Sequence, residues 1–201
     1  MQIACLDFEG VLVPEIWVNL AEKTGVDDLK VTTRDIVDYD ELMEFRLGVL
    51  RKNNIGLKAL RQAASSLNPL PGAKEFLHWL RQEYQVAIVS DTFYELCAPL
   101  VQKLDYPMML CHRLQFLDDE ITGYKLRQKD PKRKVVLSFQ SIAYEVVATG
   151  DSYNDISMLE QSDRATLFKP SDKVMTDYPN FPVAKDYEEL KAFFTSALNR
   201  D

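Results

Sequence analysis

The sequence predicts an α/β fold: a Rossmann-like parallel sheet with a small helical cap inserted after its first strand. Three patterns carry this reading. Short apolar runs alternate with segments of helical spacing, one early stretch is helical throughout, and polar clusters stand just beyond three of the runs. The runs are Ile3–Leu6, Val86–Val89, Met108–Cys111, Val146–Ala148 and Ala165–Phe168, and their unbroken apolar character suits strands buried on both faces. Helical periodicity marks Ala73–Tyr84, Tyr94–Leu104, Lys134–Tyr144, Asp155–Gln161 and Tyr187–Leu198, enough to cover both faces of a parallel sheet.

The first run ends in Asp7-Phe8-Glu9-Gly10-Val11, two carboxylates two residues apart at a glycine turn. If the strand pitch persists they share a face and can converge on one metal or one phosphate. Alone, the segment reads better as a strand followed by a solvated acidic turn, since short acidic turns are common and so short a match is weak. From Glu15 to Leu67 helix follows helix: Ile16, Val18, Leu20 and Ala21 make one apolar face, Leu42, Phe45, Leu47, Val49 and Leu50 a second, and Leu57, Leu60 and Ala64 a third. Asn68-Pro69-Leu70-Pro71-Gly72 then turns the chain back. Residues 1–14 and 68–201 are therefore expected to form the core and 15–67 the cap. A block at that point in the chain sits above the carboxyl ends of the strands, where open α/β sheets bind ligands, and can act as a lid. Arg113–Leu126, folding around Asp118-Asp119-Glu120, reads as a small hairpin.

The chain of 201 residues is 46% hydrophobic with a net charge of -7 and a pI near 5.0, which argues against nonspecific nucleic-acid binding, since that requires a basic surface. Cys5, Cys97 and Cys111 have neither disulfide-framework nor zinc spacing. No signal peptide or membrane-length apolar run is readable, so the expectation is a cytoplasmic protein acting on small molecules, with no membrane partner.

Ser90-Asp91-Thr92 follows the second run, and Gly150-Asp151-Ser152-Tyr153-Asn154-Asp155 follows the fourth. Parallel strands open their carboxyl ends on one edge, so Asp7, Glu9, Ser90, Asp151 and Asp155 should gather there. One of Lys129, Lys132 or Lys134, beside Asp130-Pro131, can reach the same crevice. These residue types meet the needs of phosphoryl transfer: a carboxylate nucleophile, carboxylates for a divalent ion, a hydroxyl and an ammonium for phosphoryl oxygens, and a second carboxyl group for proton transfer. Plainer roles compete. Asp151 and Asp155 suit a helix N-terminus, Glu15 after Pro14 suits helix capping, the lysines suit a solvated face, and Arg46 can lie along the cap surface. His78 and His112 lie near neither motif and receive no role.

Taken in order, the motifs resemble those of the haloacid dehalogenase superfamily, whose phosphatases carry an aspartate pair, a Ser/Thr, a Lys and a Gly-Asp-x-x-x-Asp motif. The resemblance spans essentially the whole chain and implies a HAD-like core. The insertion resembles the small cap of the phosphoserine phosphatase branch. Asp7-Phe8-Glu9-Gly10-Val11, Ser90-Asp91-Thr92-Phe93-Tyr94, Gln128-Lys129-Asp130-Pro131-Lys132-Arg133 and the Gly150–Asp155 segment are similar to the bacterial phosphoserine:homoserine phosphotransferase type. The resemblance implies Asp7 as nucleophile, Glu9 as general acid and base, and Mg²⁺ held by Asp7, the backbone carbonyl of Glu9, and Asp151. It further implies phosphoryl contacts from Ser90 and Lys132, Asp155 positioning metal-bound water or Lys132, Glu15 and Arg46 gripping an amino-acid head, and further contacts from Asp91 and Asn154. O-phospho-L-serine and L-homoserine are the implied substrates, and a homodimer is compatible with it. Two departures stand out: Glu9 replaces the usual Asp, and Asp91 replaces the usual glycine.

Two other functions fit part of the pattern. A HAD phosphatase for another small phosphomonoester would keep the catalytic residues but leave Glu15 and Arg46 without partners. A receiver-like signalling module shares the acidic pocket, hydroxyl and lysine, yet such modules place the phosphoacceptor later and lack a cap between the first two strands.

Overall fold

The computed structural model describes residues 1–32, 35–36 and 38–198. Its strands are β1 (Gln2–Leu6), β2 (Gln85–Phe93), β3 (Met108–Leu117), β4 (Glu120–Lys125), β5 (Glu145–Gly150), β6 (Arg164–Phe168) and β7 (Val183–Ala184), joined in one sheet in the order β4-β3-β2-β1-β5-β6-β7. Among the described residues only the β3–β4 pair is antiparallel. β1 is central, with Leu6 opposite Ile88 of β2 and Thr149 of β5. The residues that follow these three strands therefore emerge side by side on one edge.

Both faces of the sheet are covered, which explains the absence of polar alternation in its strands. Ala4 and Leu6 join a cluster with Phe76 of α4 (Ala73–Glu83), Leu100 of α5 (Tyr94–Lys103) and Phe194 of α9 (Tyr187–Leu198). Ile3 and Cys5 point the other way, onto Val135 and Val136 of α6 (Pro131–Ser141) and Leu159 of α7 (Ile156–Gln161). α8 (Asp172–Asp177) and β7 have no counterpart in the sequence reading; six and two residues are too few to show a period. All three cysteines are buried and free.

Three boundaries differ from expectation. β2 runs on through Ser90, Asp91 and Thr92 to Phe93, with its register against β3 shifting between Val89 and Phe93. The run Met108–Cys111 and the first arm of the hairpin are one strand, β3, which pairs with β2 and then with β4. α6 begins at Pro131, earlier than Lys134, because proline suits the first helical position and places Lys132 in the first turn.

Between β1 and α4 lie α1 (Ile16–Thr24), a 3-10 turn at Asp27–Lys30, α2 (Tyr39–Lys52) and α3 (Leu57–Ser66). Trp17, Leu20, Met43, Leu47 and Leu60 share a cluster with Phe93, Leu96, Leu114 and Ile121, so these helices pack onto the end of β2 and the hairpin. Polar ties reinforce the contact. Leu57 N donates to the Asp119 carbonyl at 2.8 Å, Lys58 N to Asp119 Oδ1 at 2.7 Å, and Tyr124 OH to Asp40 Oδ1 at 2.6 Å. Asp119 at the hairpin turn thereby satisfies two of the first-turn N–H groups of α3. Among the described residues, no helix is long and apolar enough to cross a membrane.

Candidate active site

Asp7 leaves the end of β1 with its N–H bonded to the Thr149 carbonyl of β5 at 3.0 Å, so the strand pairing extends into the site. Lys132 comes from α6 to meet it. Its Nζ stands 2.9 Å from Asp7 Oδ1 and 2.6 Å from Asp155 Oδ1, and the side chain is only 2% exposed. Lys129, Arg133 and Lys134 are exposed, so burial picks out Lys132 from the basic cluster. Asp155 works at both of its oxygens: Oδ1 holds Lys132, while Oδ2 accepts from Asp151 N at 3.0 Å and Ser152 N at 3.1 Å. Helix-terminus capping and site assembly are thus one arrangement.

Two glycines give the acids their room. A Cβ on Gly10, whose φ is +82°, would lie 2.6 Å from the Asp151 carboxyl carbon, and one on Gly150 would run into the Asp155 carboxyl group. A side chain at either position displaces an acid.

Burial raises the Asp7 pKa well above its ordinary value, and the charges of Asp155 and Asp151 add to this while Lys132 opposes it. Burial also disfavours the Lys132 ammonium, but Asp155, Asp7 and Asp91 outweigh that and raise its pKa well above the usual lysine range. Lys132 is therefore a permanent cation at neutral pH. One ammonium does not balance this much negative charge. Asp7, Asp151 and Asp155 bring ligand oxygens within 4.8 Å of one another, and an all-carboxylate set suits a hard divalent cation. Since both Asp155 oxygens are engaged, Asp7 and Asp151 are the better placed of the three to ligate one.

A small pocket of about 60 Å³ lies against this cluster, lined by Asp7, Glu9, Glu15, Arg46, Ser90, Asp91, Asp151 and Asn154. Little bulk water fits in such a space. Ser90 is buried, and its Oγ accepts from Thr92 N at 3.2 Å within the shifted part of β2. Asn154 Nδ2 donates to Asp91 Oδ2 at 3.0 Å. On the cap side, Glu9 Oε1 accepts from Ile16 N at 2.7 Å and caps α1. Glu15, the candidate cap by sequence, makes no such side-chain bond. Burial, then Glu15, push the Glu9 pKa up to about 7 against the opposing Ile16 hydrogen bond and Arg46 charge.

Arg46 is buried, with its guanidinium carbon 4.4 Å from the centre of the Trp17 ring and its Nη2 bonded to the Val31 carbonyl at 2.9 Å. Its Nε has no hydrogen-bond partner among the described residues. The alternative of an exposed Arg46 lying along the cap does not hold, since the side chain is buried.

The sequence places His112 near neither motif, and the structure corrects this: His112 Nε2 lies 3.3 Å from Asp91 Oδ1. The signal was available, since His112 follows the Met108–Cys111 run and so falls near the edge that gathers the other polar groups. Tyr39 was also missed. Its hydroxyl donates to the Asp91 carbonyl at 2.7 Å, and it lines the pocket with Arg46 seven residues later on α2. That i, i+7 spacing was the available clue.

A family model described as haloacid dehalogenase-like hydrolase matches residues 1–163. The chain is 51% identical over 201 residues to the phosphoserine phosphatase ThrH of Pseudomonas aeruginosa, covering 100% of this chain and 98% of that protein. It is 50% identical over 202 residues to a phosphoserine phosphatase of Pseudomonas syringae pv. tomato, covering 100% and 85%. Its fold is similar to that of a phosphoserine phosphatase crystallised in apo form, with a TM-score of 0.80 at 21% identity, covering 96% of this chain and 98% of that one. With its motifs on one sheet edge and relatives matched along its whole length, the chain belongs to the haloacid dehalogenase-like hydrolase family.

Proposed function

We propose that this chain takes the phosphoryl group of O-phospho-L-serine onto Asp7 and passes it to water, giving L-serine, or to L-homoserine, giving phosphohomoserine. The observation that carries the reading is Arg46, buried in the wall of the pocket that contains Asp7, with Nε unpartnered. A buried guanidinium nitrogen is costly to leave without an acceptor. The carboxylate of an amino-acid substrate supplies one, and Glu15 in the same pocket suits its ammonium. The phosphoserine phosphatase names of the two Pseudomonas relatives support the same substrate.

In the first step an Asp7 oxygen attacks phosphorus as the serine O–P bond breaks, and Glu9 gives its proton to the departing alkoxide. In the second, the acceptor oxygen attacks the aspartyl phosphate, Glu9 takes the acceptor's proton, and Asp7 is freed. A Glu9 pKa of about 7 leaves both protonation states accessible near neutrality. Ser90 and Lys132 donate to phosphoryl oxygens, Asp155 holds Lys132, and Asp91 and Asn154 complete the wall. Asp7, Asp151 and the Glu9 backbone carbonyl would hold Mg²⁺, which supplies charge compensation for the phosphoryl group. Positive charge held there would also offset the effect of Asp155 and Asp151 on Asp7 and favour its ionised form.

In the presence of Mg²⁺, phosphoserine is expected to turn over, with label reaching homoserine when it is supplied at saturation. Label that never leaves the hydrolytic route removes the transferase half of the reading. Arg46→Ala should raise KM for phosphoserine about 10- to 100-fold, the worth of a charged hydrogen bond, with a smaller effect on kcat. An unchanged KM would assign the pocket to a phosphomonoester without an amino-acid head.

Glu9 bears on acceptor choice. Aspartate there is shorter by about 1.5 Å, one carbon–carbon bond, and would release the 2.7 Å contact to Ile16 N that ties the proton-transfer group to the cap. Glu9→Asp is expected to change the ratio of serine release to phosphohomoserine formation. Equal ratios in the two proteins would separate Glu9 from acceptor selection.

A further inference from the structure

β3 carries His112 opposite Phe93 of β2, just past the register shift that turns Ser90, Asp91 and Thr92 toward the pocket. The imidazole is 1% exposed, and its environment fixes both its tautomer and its direction. Nδ1 accepts from Arg127 N at 3.1 Å, so that nitrogen is unprotonated and the hydrogen resides on Nε2, facing Asp91 Oδ1 at 3.3 Å. The rings of Tyr39, at 5.9 Å, and Phe93, at 6.2 Å, flank it and oppose rotation.

Asp91 is held on three sides. Oδ1 faces His112, Oδ2 accepts from Asn154 at 3.0 Å, and its backbone carbonyl accepts from Tyr39 OH at 2.7 Å. Burial opposes its ionisation, but Lys132 and the hydrogen bonds from His112 and Asn154 prevail and hold the carboxyl group at about 2. This fixed anion stands 3.7 Å from Lys132 Nζ, beyond hydrogen-bond reach, whereas Asp7 and Asp155 lie at 2.9 and 2.6 Å. Asp91 thus draws the third N–H of Lys132 toward the pocket by charge without capturing it.

We infer that His112 is a positioning residue that, through Asp91, keeps one N–H of Lys132 open to a phosphoryl oxygen. The inference rests on the phosphotransfer reading of the site. Removing the Nε2 donor leaves the carboxylate tethered only by Asn154 at Oδ2 and releases Oδ1, so the carboxylate can turn onto Lys132 and take the hydrogen that the phosphoryl group needs. Turnover then falls while the amino-acid grip at Arg46 and Glu15 is untouched.

His112→Leu should lower kcat about 10- to 100-fold, the usual cost of an outer-shell partner, with KM for phosphoserine within about twofold of wild type. His112→Gln, whose amide nitrogen can reach Asp91, should recover most of the loss. In His112→Ala, added imidazole should restore rate, because His112 and Asp91 border an adjoining cleft of about 520 Å³ through which it can enter. Combining His112→Leu with Asp91→Asn should add nothing to Asp91→Asn alone, as expected of residues acting in series. The comparison uses whichever phosphomonoester the wild type turns over, with thermal melts to confirm folding. Failure of wild type on phosphoserine therefore counts against the proposed substrate alone. The inference itself is overturned if folded His112→Leu keeps the wild-type kcat, if neither glutamine nor imidazole restores rate, or if the two substitutions multiply.

Discussion

Asp7→Asn is expected to reduce phosphoserine turnover by at least about 10⁴-fold, since a carboxamide does not form the acyl phosphate and no other group takes over a missing nucleophile. The fold should survive. Burial, Asp155 and Asp151 together raise the Asp7 pKa above its unfolded value, so above that unfolded value the ionised side chain lowers stability. Asparagine keeps the volume and removes the charge. Melting in a chelator should therefore give a Tm for Asp7→Asn no lower than wild type, a stability gained at the expense of function. Activity within tenfold of wild type would move the nucleophile elsewhere.

Lys132→Met should fail differently, losing both activity and stability. The ammonium is 2% exposed and contacts Asp7 and Asp155 directly, so its removal leaves buried carboxylates without their cation. Breaking such a pair from one side costs about 3–5 kcal/mol, roughly 10 °C in Tm for a chain of this size. The pH dependence has a definite sign. Without Lys132 the folded-state pKa of Asp7, which the ammonium holds down, rises further, and a carboxyl group with a raised folded pKa carries a penalty that disappears as pH falls toward its unfolded value. The gap in Tm between variant and wild type should narrow from pH 7 toward pH 4. A gap that is constant with pH would mean that Lys132 stabilises through packing of its stem.

These two residues also divide what was legible in the chain from what was not. Asp7 stood out as a carboxylate that directly follows a buried run and precedes a glycine turn, yet those local features alone favoured an acidic turn, and the motifs after the other strands gave it its role. Lys132 could not be chosen over Lys129 or Lys134 without the family pattern, because three lysines within six positions look alike until a helix is wound and one is turned inward. Asp7 and Lys132 are 125 residues apart, and no local pattern reports their meeting. Glu9 shows the same limit. Its place beside Asp7 was readable, but its bond to Ile16 N depends on where the cap settles. His112 was passed over although it follows the Met108–Cys111 run, because its place at the end of that run does not report the contact with Asp91 that only packing creates.

The sequence by itself determined the α/β class, the helical insertion after the first strand and the edge on which the polar groups collect, because periodicity, turn residues and parallel strand direction are properties of contiguous chain. Tertiary structure alone decided which lysine is buried, that Glu9 caps the first cap helix, that the Arg46 side chain is held in the pocket wall, and that His112 restrains Asp91. Those outcomes depend on burial and side-chain direction, which exist only once β1, β2, β5, α6 and the cap helices have packed around one crevice.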